Sequence, residues 1–99
     1  MYEEYIGKKV IVRSKEAGVF FGELVKKEGN EVKLKNCRWL WSWFGAFTIF
    51  QIAVEGVKEP EKCKFTLTVN DVCVLGVCQI VPCTDVAISS IEGVPTWNI

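Results

Sequence analysis

Between Trp39 and Val54 the chain runs 16 residues without a formal charge, and this stretch holds three of its four tryptophans and three of its six phenylalanines. No other feature limits the fold as strongly. The run is shorter than the ~18–20 residues a bilayer-crossing helix needs, and Ser42, Gly45, Thr48 and Gln51 interrupt it. It therefore reads as part of a folded domain, with no membrane span. Period divides it. Trp39, Trp41 and Trp43 share one face of a strand, with Leu40, Ser42 and Phe44 on the other. Gly45 breaks the strand. Ala46, Ile49, Phe50, Ala53, Val54 and Val57 then recur at helical spacing, opposite a narrow stripe of Thr48, Gln51 and Glu55. Residues 46–55 are predicted to be a helix, with Gly56 as its C-terminal cap. Phe47 and Ile52 flank the polar stripe, so the apolar arc is wider than packing on one sheet requires.

The rest of the chain alternates at strand period. Residues 8–13 and 19–27 are predicted strands, and Gly22 inside the second marks a bulge or sharp bend. Glu28-Gly29-Asn30 is a turn. In residues 31–35, Val32 and Leu34 point in while Glu31, Lys33 and Lys35 point out, which gives a hairpin with one wet face. Residues 63–69 alternate again, Asn70-Asp71 is a predicted turn, and 72–81 reads as one uncharged strand covered on both faces except near Gly76 and Gln79. Pro82 ends it. Thr84 caps a short helix over 85–92, Gly93 stops that helix, and Trp97 docks an extended tail. With 99 residues there is one domain, 1–99, and no room for a second core. The expected class is α+β: a small bent antiparallel sheet, or a partly open SH3-like barrel of about five or six strands, with one packed apolar helix and a short C-terminal helix.

Composition narrows the chemistry. The absence of histidine removes Ser-His-Asp and Cys-His catalysis and every His-containing zinc site. Glu3, Glu4, Glu16, Glu59, Glu61, Asp71 and Asp85 all lie in turn-like or terminal sequence, not in apolar settings that raise a carboxyl pKa. Cys37, Cys63, Cys73, Cys78 and Cys83 include no CxxC pair, and no base accompanies any of them. They read as reduced, small apolar fillers. No enzyme, metal or cofactor is expected. The odd cysteine count and the acidic start at Met1-Tyr-Glu-Glu-Tyr, unlike a signal peptide, point to a cytoplasmic protein.

Binding is the remaining class. Six large aromatics within 12 residues exceed what one small core hides on one side. Trp39, Trp41, Trp43, Phe44, Phe47, Phe50 and Ile52 are the expected surface for homo-oligomerisation. The 12 basic and 12 acidic residues cancel overall, but residues 1–38 carry nine basic and six acidic residues, leaving a −3 remainder. Lys33, Lys35 and Arg38 beside Trp39 and Trp41 would suit a phosphate and a stacked base, so a nucleotide-binding sponge with its pocket at an oligomer interface is the second reading. An RNA-binding small barrel is the third. Glu23, Glu28 and Glu31 interleave with the lysines and argue against nucleic acid.

Several segments together resemble a family of short phage and prophage proteins catalogued as a domain of unknown function. They are Tyr5-Ile-Gly-Lys-Lys-Val-Ile-Val-Arg13, Gly18-Val-Phe-Phe-Gly22, Asn36-Cys-Arg38, Gln51-Ile-Ala-Val-Glu-Gly-Val-Lys58, Cys63-Lys-Phe-Thr66 and Ser90-Ile-Glu-Gly-Val-Pro-Thr-Trp97. The resemblance covers nearly the whole chain. It implies a bacteriophage or prophage origin and a bacterial cytoplasm, and it supplies no activity. The chain departs from the family's pattern at Trp39, where a second basic residue stands, and through 42–50, where the family is smaller and more polar. It departs again at Cys73, Gly76 and Cys78, where larger aliphatics and an acid stand. These changes are mostly toward the apolar. They suggest surfaces reshaped, by evolution or by design, to make an apolar contact or cavity.

Overall fold

Val10, Ile11 and Val12 are all fully buried. A strand with no wet side needs a packed layer on each face, and this requirement sets the architecture. The computed structural model describes residues 1–98. In chain order it contains a short 3-10 turn at Tyr2–Tyr5, β1 Lys9–Ser14, β2 Gly18–Glu28, β3 Glu31–Ser42 and α1 Ile49–Glu55. A second 3-10 turn, Pro60–Lys62, precedes β4 Lys64–Phe65, β5 Val69–Val74, β6 Val77–Pro82 and α2 Asp85–Gly93. The sheet is antiparallel and bent. Its order is β4-β3-β2-β1-β6, with β5 also paired to β3. Val10 and Val12 pack on the inner face with Leu24, Val32, Leu34, Cys37, Val74 and Val77. Ile11 points the other way, into a second cluster with Phe21, Leu40, Phe65 and the helix residues Ile52, Ala53 and Ile91. The curled sheet thus encloses one core and presents its back to two helices for another. No helix among the described residues is long and apolar enough to cross a membrane.

β5 lies on β3 and β6 lies on β1, yet only Leu75 and Gly76 separate them. The sheet must curl for its two sides to come within that reach. Ser14 Oγ donates to Leu75 O at 2.6 Å, and Val77 N–H donates to Asn30 O at 2.7 Å, which ties the turn down. This corrects the sequence reading of 70–81. Asn70 and Asp71 are inside β5, where Asp71 sits opposite Lys35, and the turn falls at 75–76. The two strands read as one because both are β-branched and uncharged near the join. Nor are both faces covered: Cys73, Leu75 and Cys78 are exposed.

The hairpin β2–β3 is longer than expected, because the Lys-rich strand and the Trp-bearing strand are one element of 12 residues. Its continuity depends on a bulge. Phe21 pairs with Arg38 and Glu23 with Lys35, so β3 carries an extra residue there, and Asn36 takes φ 52°. Gly22 sits against this bulge. A Cβ on it would stand 3.1 Å from Lys35 O and 3.3 Å from Cys37 Cα, so a side chain here would press on the backbone of β3. The predicted strand over 63–69 shrinks to the two residues of β4, because Thr66 turns its side chain and its carbonyl to β3.

α1 starts at Ile49, not at residue 46. Thr48 is its N-cap, accepting from Gln51 N–H on Oγ1 at 3.2 Å, so Ala46 and Phe47 stay outside the helix. Its buried side carries Ile52 and Ala53, with Ile49 partly buried beside them. That face is rotated by less than a quarter-turn from the arc read in the sequence, which leaves Phe50 and Val54 exposed. α2 begins as predicted, with Thr84 Oγ1 accepting from Ala87 N–H at 3.1 Å. The same hydroxyl donates to Val54 O at 2.7 Å and joins the two helices.

Candidate functional site

β3 leaves the bulge at Asn36 with its next residues on two different sides. Arg38 turns into the protein and is 4% exposed. Its Nε donates to Thr66 O at 2.8 Å, Nη1 to Ile91 O at 2.8 Å, and Nη2 to Phe65 O at 3.4 Å and Pro95 O at 3.5 Å. These acceptors are main-chain carbonyls, and Ile91 lies in the last turn of α2, where a cation meets the negative end of the helix. Burial pulls the guanidinium below its ordinary pKa. Arg38 is therefore not available to a phosphate, which corrects its expected role as a ligand group.

Lys33 and Lys35 are exposed on the first half of β3, and Lys33 Nζ lies 3.6 Å from Asp71 on β5. Trp39 is half-buried on the second half of the strand. It lines a groove of about 250 Å³ with Phe20, Leu67, Val69 and Val72. The structure does not bring Lys33, Lys35, Arg38 and Trp39 into one pocket.

The aromatic segment divides between core and surface. Ile52 is fully buried and leaves the expected contact surface, because it points at the sheet from α1. Trp43 is partly buried against the same core. Trp41, Phe44, Phe50 and Val54 are each about half exposed, and Phe47 is 95% exposed. Phe47 stands free because Gln51 Oε1 accepts from its N–H at 2.9 Å, folding the backbone over the start of α1 while the ring points away. Phe44 is anchored at its backbone, where its N–H lies 3.4 Å from Cys63 Sγ.

The sequence reading missed one partner of Trp41. Trp97, in the tail beyond α2, stacks beside it with ring centroids 6.2 Å apart and planes 10° from parallel. Lys64 Nζ lies 5.6 Å from the Trp97 ring centroid. The sequence signal was a lone tryptophan in an extended tail. It predicts docking but not where.

Among the described residues no cluster of three or more metal-ligating side chains occurs. Cys37 and Cys63 are buried, in line with filler roles, and burial pushes the Cys37 thiol up to about 12. Burial also pushes the half-buried Cys83 thiol up to about 12, against a backbone hydrogen bond at Ile11 that lowers it. Cys73 and Cys78 are exposed, so filling a core does not explain them.

A family described as a domain of unknown function, DUF6948, matches residues 7–91. No curated protein and no solved structure matches the chain.

Proposed function

The chain belongs to the DUF6948 family, a domain of unknown function, and from that premise we propose that it is a non-enzymatic, phage-type accessory domain of the bacterial cytoplasm that associates with itself. The curled sheet, read as a partly open SH3-like barrel, is the scaffold. The contact is the apolar ridge formed by Phe44, Phe47, Phe50 and Val54. The observation that carries this reading is Phe47, an aromatic ring left 95% exposed beside two further half-exposed apolar residues on α1. A group of this kind on a wet surface costs solubility and gains nothing for the fold, whereas buried aromatics anchor protein contacts. A neutral chain, with 12 basic and 12 acidic residues, sets up no net repulsion between copies.

Light scattering at micromolar concentration tests it. The wild-type chain is expected to exceed the monomer mass. Phe47→Asp with Phe50→Asp is expected to stay folded, because both rings are outside the core, and to weaken association by about 100-fold or more. A strictly monomeric wild type, or a double variant that assembles as well as the wild type, overturns the reading.

A further inference from the structure

Trp41, near the end of β3, and Trp97, in the tail beyond α2, are brought together, yet neither indole is buried: 53% and 42% of their surfaces remain exposed. The rings meet as an offset-stacked pair, with centroids 6.2 Å apart and planes 10° from parallel, and the offset leaves part of each ring uncovered. The tail is also positioned by its backbone. Trp97 N–H donates to Phe65 O at 2.8 Å, and Thr96 bridges Phe65 in parallel register. Arg38 holds Ile91 O and Pro95 O from beneath. Trp39 meets Trp41 edge-on, with centroids 5.1 Å apart and planes at 64°. At the rim stands Lys64, whose Nζ makes no ion pair with a carboxylate among the described residues.

We propose that Trp41, Trp97 and Lys64 form a nucleotide-binding site, with the base against the indole faces and a phosphate on Lys64 Nζ. A partly uncovered π-face beside a cation that has no carboxylate partner among the described residues matches a planar ring that carries an anion. Nucleotides supply both, while an aromatic side chain of a protein partner supplies only the ring. The site uses none of the ridge residues Phe44, Phe47, Phe50 and Val54, so it stands or falls independently of self-association. Free nucleotide and single-stranded nucleic acid share this chemistry.

Tryptophan fluorescence reads the site directly, since a stacked base quenches an indole. The full chain is titrated with adenosine monophosphate and, separately, with a short single strand of deoxyadenylate. Saturable quenching is expected with at least one of them. Trp97→Ala is expected to weaken the apparent affinity by about fivefold or more, and Trp97→Phe to restore part of it. Lys64→Ala is expected to weaken binding and flatten its salt dependence, and it keeps the test open if Trp97→Ala misfolds. Equal affinity for the two probes identifies free nucleotide as the source; tighter binding of the strand with a steeper salt slope identifies nucleic acid. Absence of quenching by either probe, or binding by Lys64→Ala indistinguishable from wild type, overturns the proposal.

Discussion

Arg38 shows how much one side chain can hold. Among the described residues its guanidinium has backbone carbonyls as partners and no carboxylate, and it links β3, β4, the end of α2 and the tail. Arg38→Met keeps the apolar stem but leaves those carbonyls without their donor in a buried place. The expected cost is about 3 kcal/mol, read as a lower denaturant midpoint with an unchanged slope. Arg38→Lys is not expected to rescue it, because one ammonium cannot span the same fork of acceptors. Nothing adjacent in the sequence marks this arginine as buried. Strict alternation would put it on the inner face with Val32 and Leu34; the bulge at Asn36 gives that face to Cys37 and turns Arg38 to the side of Lys33 and Lys35, where β4, α2 and the tail cover it. A one-residue change of register moves a side chain to the opposite face, and a single sequence does not display it.

At the scale of elements, the contact between α1 and α2 turns on Gly56. Its φ is +79°, and a Cβ there would come within 2.3 Å of Ser90 Cβ. Gly56→Ala is expected to destabilise the domain by about 2 kcal/mol or more, since left-handed strain adds to a collision with the facing helix. Thermal unfolding followed by circular dichroism checks this. Both helices were legible in the sequence, with the caps Gly56 and Thr84, because these act locally; Thr48 was read inside the helix it caps. The hairpin turn at Gly29-Asn30 was legible for the same reason. What misled was tertiary. The join between β5 and β6 is marked only by Gly76 within a β-branched run, and the polar pair Asn70-Asp71 looked like the turn it is not. The face of α1 was misjudged because Ile52 packs on the sheet and Phe50 does not, a choice the helical period alone leaves open. Of the expected surface, Trp41, Phe44, Phe47 and Phe50 emerged exposed. Trp97 and Lys64 were found only when the tail had a place to dock.

For the whole molecule, the buried Cys37 thiol and the half-buried Cys83 thiol give stability an alkaline dependence. Cys37 and Cys83 have an ordinary value of 9.0 and are pushed up to about 12 in the folded state. Above pH 9.0 the unfolded chain releases protons that the folded chain retains. The stability from this source is therefore whole below that pH and is lost progressively as pH rises toward about 12. Urea midpoints measured across this range are expected to fall, and Cys37→Ala with Cys83→Ala to flatten the fall. An unchanged alkaline slope in that variant contradicts the assignment. The buried arginine has a further consequence, in time rather than in space. Its acceptors lie 27, 28, 53 and 57 residues downstream. Until a ribosome has made Ile91 and Pro95, Arg38 lacks part of its set of partners, so β3 cannot settle its outer edge. Closure of this domain must wait for synthesis to reach the tail, and the nascent chain carries its tryptophans unprotected until then.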